Sequence, residues 1–319
     1  MLTIQQDQTI VLDTGASKPM YAVVFQPNGR HLLGGDVYGI RRWRLSDGQE
    51  VARQTGMDVF AISVSRDRKW IACGTMTGAS VWDGELHEKL IDVEGGNWVS
   101  AVDISPDSTR FATGTGDHKV SIWSTTTGMR LVGPLQHDDT VTGIRFSPNG
   151  EHIATAYYGG PVCVFDSRNG DALITIDTTT PESPVITPLA WSSDSRQIFA
   201  ISYDKKIKSF DVSTGSQLAE LDIPGDDYGV PGDDYRVYSL ALAPNSKFIA
   251  TFAGQSISFL DPSTLVQIGP VIEDSEGIQS IAISQDNSYL ATGQVDGKIV
   301  IRDLRKILPD LYGPFDVSI

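Results

Sequence analysis

Short apolar runs alternate with polar turns along most of this chain, and no window carries a long apolar period of helical spacing. The stretch 141–166, VTGIRFSPNGEHIATAYYGGPVCVFD, shows the unit. Ile144 and Phe146 flank Arg145 in a first strand, and Ser147-Pro148-Asn149-Gly150 is a turn with proline second and turn-favouring residues after it. Ile153 to Ala156 and Val162 to Phe165 read as second and third strands. Such a meander cannot cover both its faces alone, so it requires neighbours.

Equivalent units fall at 20–45, 59–84, 99–125, 186–212, 237–262 and 278–304. The place of Phe146 is taken by Phe25, Val64, Ile104, Trp191, Leu242 and Ile283, at successive intervals of 39, 40, 42, 45, 51 and 41 residues. Asn149 is matched by Asn28, Asp67, Asp107, Asp194, Asn245 and Asp286, always a short side chain able to bond its own turn. The column of Gly143 reads Ala22, Ala61, Ala101, Pro188, Ser239 and Ser280, small or compact throughout. Seven first strands with such short side chains are expected to crowd around a common axis, as radial repetition of four-stranded sheets requires. Asp103 and Arg145, consecutive charged exceptions in the next inward column, are predicted to pair near that axis in a structural role.

The predicted architecture is all-β: a seven-bladed β-propeller of four-stranded antiparallel blades over residues 8–308, with a C-terminal tail at 309–319. Residues 9–13, Thr-Ile-Val-Leu-Asp, resemble the strands that follow other units, whereas no clear fourth strand follows the last. They are expected to supply the outer strand of the seventh blade, closing the ring with the N-terminal strand. Leu311, Tyr312, Phe315, Val317 and Ile319 are expected along the outside of a terminal blade.

On its period and third-strand signature the chain resembles the WD40 β-propellers. Trp82-Asp83 is the signature dipeptide, Phe165-Asp166, Phe210-Asp211, Leu260-Asp261 and Arg302-Asp303 are weaker versions, and Trp43 and Trp123 keep the tryptophan. Asp117, Asp204 and Asp296 match the family's structural turn aspartate, and Gln136-His137 is a relic of its Gly-His. No unit carries the family's complete Asp–His–Ser/Thr–Trp set. In texture, copies such as SPNGEHIAT are similar to the WD40 arrays of large fungal NTPase-linked nonself-recognition proteins, which would imply the recognition arm only.

A net charge of −15 opposes nucleic-acid binding, which normally rests on clustered Lys and Arg. The short basic runs Arg41-Arg42 with Arg44, and Lys205-Lys206 with Lys208, are expected to be solvated faces. Cys73 and Cys163 fall on distant strands and are expected to be reduced thiols. The opening MLTIQQDQTI has no basic segment followed by an apolar run, and no stretch of about 18 apolar residues exists, so a cytoplasmic, membrane-free protein is expected.

The five histidines do not assemble with a nucleophile and an oriented base, and no glycine-rich loop enters a helix. Catalysis, cofactors and a metal site are therefore not expected. Long connections between the outer strand of one unit and the next unit share a face with the turn aspartates. One contains the doubled Pro224-Gly-Asp-Asp-Tyr228 and Pro231-Gly-Asp-Asp-Tyr235, whose Asp226, Asp227, Asp233 and Asp234 could gather calcium but lack the usual loop spacing. With Trp98, Tyr158, Tyr203, Tyr228 and Tyr235 they are predicted to form a partner-binding upper rim, suited to proteins presenting basic and apolar groups. The expected function is thus a monomeric, non-catalytic interaction scaffold. The alternatives are a carbohydrate- or small-ligand-binding propeller, with or without calcium, and, behind it, a propeller hydrolase.

Overall fold

The computed structural model describes residues 2–4, 9–94, 97–177, 189–202, 206–223 and 238–312. Seven antiparallel sheets are arranged radially, with Ala22–Phe25, Val59–Val64, Val99–Ile104, Val141–Phe146, Ala190–Trp191, Tyr238–Leu242 and Ile278–Ile283 as their innermost strands. We number the blades 1 to 7 in that order. The seventh is completed as the sequence predicts: Ile10–Leu12 pairs antiparallel with Ile299–Asp303, Ile10 opposite Ile301 and Leu12 opposite Ile299. One strand was not foreseen. Leu2–Ile4 pairs outside Ile10–Leu12, so blade 7 has five strands and only the other six are four-stranded.

The turns explain why the unit repeats. In blade 4 the Ser147 hydroxyl donates to Asn149 Oδ1 (2.6 Å) and accepts the His152 N–H (2.9 Å), while the Gly150 N–H donates to the Ser147 carbonyl (2.8 Å). Ser65 with Asp67, Ser105 with Asp107, Ser192 with Asp194 and Ser284 with Asp286 make the same hydroxyl-to-carboxylate bond. Although partial burial works against ionisation at Asp67, Asp107 and Asp286, bonds from the serine hydroxyl and turn N–H groups hold these carboxyls below their ordinary range. At Asp194 the serine bond leads the same effect.

The core lies between blades rather than at the centre. Among the described residues, seven buried apolar clusters correspond to the seven blade–blade contacts. Their closeness depends on glycine in the second strand: a Cβ on Gly35 or Gly114 would come within 2.6 or 2.5 Å of Val59 or Val141 of the following blade. The axis itself is a channel whose upper half, about 260 Å³, is lined by Ala22, Ala61, Ala101, Gly143, Ser239 and Ser280. Asp103 stands beside it. Its oxygens accept the Ser63 hydroxyl (3.2 Å) and the Phe146 N–H (2.8 Å), and Arg145 Nη1 lies 4.0 Å away. Burial pushes the Asp103 carboxyl above its ordinary value, against the opposing pull of Arg145.

Contrary to expectation, the basic runs are solvated only in part: Arg44 and Lys206 keep partial exposure, and Lys205 lies outside the described residues. Arg41, Arg42 and Lys208 are all buried, because both faces of a third strand are covered by neighbouring blades. Arg41 pairs with buried Asp36 at 3.2 Å, and Arg42 meets Glu85 at 2.5 Å and donates to Gln26 Oε1 at 2.9 Å. Cys73 is buried and Cys163 half-buried, both free. Beyond residue 308 the chain stays on the ring as far as Tyr312: Leu311 and Tyr312 pack on the blade 6–7 cluster, and the Tyr312 hydroxyl donates to the Asn287 carbonyl. Phe315, Val317 and Ile319 lie outside the described residues. Among the described residues no helix is long and apolar enough to cross a membrane.

Candidate functional site

In each blade the connection from the preceding outer strand and the turn between second and third strands emerge at the same end, here called the upper face. Backbone hydrogen bonds tie the two together. The Gly116 N–H of a blade 3 turn donates to the Trp98 carbonyl (2.8 Å), and the Tyr158 N–H of a blade 4 turn donates to the Thr140 carbonyl (2.8 Å). Trp98 and Tyr158 are thereby fixed in backbone position while 39% and 40% exposed. Tyr38 and Met76, on the corresponding turns of blades 1 and 2, are likewise exposed.

An aromatic series leads inward from Trp98. Its ring meets Phe60 edge-on at 5.6 Å between centroids, and Phe60 meets Tyr21 at 5.2 Å. Tyr21 and Phe60 line the upper mouth of the channel with Ser100, Thr142 and Gln279. Sequence reasoning missed both rings, as it missed Tyr38 and Met76. The signal was present: Tyr21 and Phe60 occupy the column of Thr142, where Ser100, Thr187, Tyr238 and Gln279 also stand, and aromatics at three places in an otherwise polar column mark an apolar step.

The face is acidic. Asp138 is exposed, and Asp58, Asp139 and Glu276 are partly so. Asp117 accepts Thr115 Oγ1 (2.5 Å) and pairs with Lys119 (2.6 Å). Burial notwithstanding, these bonds hold its carboxyl below the ordinary range. Asp296 accepts the Lys298 N–H (3.1 Å) and pairs with the Lys298 ammonium, whose own pKa that contact raises. Both aspartates thus serve their own turns. Asp204, Tyr203, Tyr228, Tyr235, Asp226, Asp227, Asp233 and Asp234 lie outside the described residues. Among the described residues no three His, Cys, Asp or Glu side chains gather as a metal-ligand set.

Beneath the face, two blades keep hydrogen-bond sets of different chemistry at the same positions. In blade 4 His137 Nε2 lies 2.8 Å from Thr155 Oγ1 and its Nδ1 3.3 Å from the Leu135 carbonyl, with Phe165 edge-on at 5.8 Å. The carbonyl can only accept, so Nδ1 carries the proton and Nε2 accepts from the threonine. In blade 7 the three positions are Asp274, Thr292 and Arg302, a buried ionic set.

The comparisons agree with this architecture. Residues 88–124 and 267–303 match the WD domain, G-beta repeat, and residues 123–194 match the anaphase-promoting complex subunit 4 WD40 domain. WD repeat-containing protein 1 of Gallus gallus is 24% identical over 297 residues, covering 88% of this chain and 47% of that protein. Eukaryotic translation initiation factor 3 subunit I of Scheffersomyces stipitis is 25% identical over 261 residues, 74% of each chain. Protein hir1 of Aspergillus terreus is 26% identical over 189 residues, 54% of this chain and 16% of its own length. The chain therefore spans less than half of two of these relatives. With two matched repeats, third-strand Trp82-Asp83 and seven closed blades, this chain carries WD40 repeats in a seven-bladed β-propeller.

Proposed function

We propose that this propeller is a non-catalytic interaction scaffold, cytoplasmic and monomeric, whose protein partners dock on the upper face with basic and apolar groups. One observation carries the reading: Tyr38, Met76, Trp98 and Tyr158 stand exposed on the upper connections of four successive blades, beside the acids Asp58, Asp138 and Asp139. Large, rigid aromatic side chains give contact area at low entropic cost and dominate interface energetics. Surrounding carboxylates favour an approaching cation and disfavour an acidic surface. The names of the relatives lend support: initiation factor 3 subunit I is named as a subunit of a larger assembly. WD-repeat relatives of this kind fit a scaffold better than an enzyme.

Affinity purification with the wild type and a Trp98→Ala/Tyr158→Ala variant tests this, followed by titration of whichever partner is recovered. Loss of two interface anchors should weaken binding by about a hundredfold or more, with the melting temperature little changed. A partner recovered equally by both proteins would place its contact elsewhere and sink the assignment of the upper face.

A further inference from the structure

The two mouths of the channel differ in chemistry. The lower one opens into a concavity of about 430 Å³, within the range of small-ligand sites, walled by Leu242, Ile283, Pro148 and Pro244 and carrying Arg66 and Arg145. Arg145 also reaches the floor of the upper mouth, where it is the single cation among the described lining residues.

Neither arginine is consumed by the fold. Arg145, on the innermost strand of blade 4, is 44% exposed and gives one Nη1 hydrogen bond to the Ile144 carbonyl (3.0 Å). Asp103 does not draw it closer than 4.0 Å, since both Asp103 oxygens already hold Ser63 and Phe146. Its Nε and second Nη have no acceptor among the described residues. Arg66, on the lower turn of blade 2, is exposed and has neither a hydrogen bond nor an ion pair there. The adjacent Asp67 carboxylate is turned inward, accepting the Ser65 hydroxyl (2.7 Å) and the Lys69 N–H (3.1 Å).

Two donor-rich guanidinium groups thus share a concavity of mixed polar and apolar lining on a chain of net charge −15. A guanidinium presents paired N–H donors that match a carboxylate, and partial removal from water strengthens such bonds. We propose that the lower mouth of the channel binds a small organic anion with one carboxylate on an apolar body. The carboxylate accepts from Arg145 and Arg66, and the hydrocarbon lies on Leu242 and Ile283. The site is separate from the upper face and does not depend on its assignment.

The test is calorimetric titration with 4-phenylbutyrate, its neutral amide and acetate at constant ionic strength. The proteins are wild type, Arg66→Gln, Arg145→Gln and Arg145→Lys, with methyl NMR of Leu242 and Ile283 to locate binding. Phenylbutyrate should bind saturably and shift those methyls, and the amide and acetate should bind at least about tenfold more weakly. Each Gln variant should lose about tenfold in phenylbutyrate affinity, and Arg145→Lys less, since charge is kept. Equal binding of acid and amide, unchanged affinity in the Gln variants, or no saturable binding up to about 10 mM would overturn the proposal. Should Arg145→Gln not fold, Arg66→Gln, on an exposed turn, decides alone.

Discussion

Asp274 and Arg302 form a buried ion pair in the blade that closes the ring, at the positions where blade 4 carries His137 and Phe165. Thr292 joins them, accepting from Arg302 Nη1 (3.2 Å) and donating to Asp274 Oδ2 (3.4 Å). The same backbone therefore accommodates an ionic set in one blade and a neutral imidazole set in another.

Removing one member of the pair should cost far more than exchanging both. Arg302→Met leaves the Asp274 carboxylate buried without its counter-charge, and is expected to destabilise by about 3–5 kcal/mol. Asp274→His with Arg302→Phe restores the neutral chemistry of blade 4 and should recover most of that loss. Urea unfolding of the two variants decides it. A single variant within about 1 kcal/mol of wild type would show that the pair is not holding blade 7.

Closure by the N-terminal strand predicts a graded truncation series. Deleting residues 1–8 removes Leu2–Ile4, which pairs only outside Ile10–Leu12. Deleting residues 1–15 also exposes the edge of Ile299–Asp303, strips buried Leu12 from the core and takes the Thr14 carbonyl (2.6 Å) from Arg41. At about 1.5–3 kcal/mol per buried apolar side chain, loss of Leu12 and of Ile10, which packs on the same cluster, should make the longer deletion cost about 3–6 kcal/mol. At about 2–4 °C per kcal/mol this is a fall of about 6–24 °C, while the shorter deletion stays within a few degrees. Calorimetric melting temperatures that do not separate the two deletions would contradict the closure.

The fold was readable because each blade solves the same problem with the same residues. The Phe146 and Gly143 columns mark the inner strand, and the Asn149 column marks the turn that follows it. Closure was readable because Thr9 to Asp13 resembles an outer strand. Burial of Arg41, Arg42 and Lys208 was not, since alternation along a strand tells which face a residue takes but not whether another blade covers that face. Arg41 finds Asp36 across a hairpin only once the third strand is placed. On the upper face, Trp98 and Tyr158 were legible by residue type and turn position. Tyr21 and Phe60 were legible only through the column they share with Thr142, because strand position alone hides that the inner strands begin at an open channel.

Asp103 ties three consecutive inner strands, so its removal should be felt between blades. Asp103→Ala leaves the Phe146 N–H without its acceptor and is expected to cost about 2–3 kcal/mol, whereas Asp103→Asn keeps an acceptor and should cost about 1 kcal/mol. The folded-state pKa of Asp103 is raised by burial. Its ionisation therefore costs stability as pH climbs above the unfolded value of about 3.9, so the penalty of Asp103→Asn should shrink between about pH 4 and pH 7. A penalty that grows with pH would mean that Arg145 outweighs burial at this site.

His137 supplies the complementary acid limb. Burial lowers its pKa from the ordinary 6.5, against the opposing pull of the Leu135 carbonyl and Asp138. Below about pH 6.5 the unfolded chain takes up a proton that the folded ring resists, so stability falls with pH until the folded pKa is reached. His31, lowered by burial and by Arg42, adds a second contribution of the same sign. His137→Gln should flatten part of the stability slope between about pH 7 and pH 5, and adding His31→Gln should flatten it further. Urea midpoints across that range measure both. A slope unchanged by His137→Gln would show that the ring takes up its proton in the folded blade as readily as in the unfolded chain, and the direction assigned to the bond between Nε2 and the Thr155 hydroxyl would then have to be reversed.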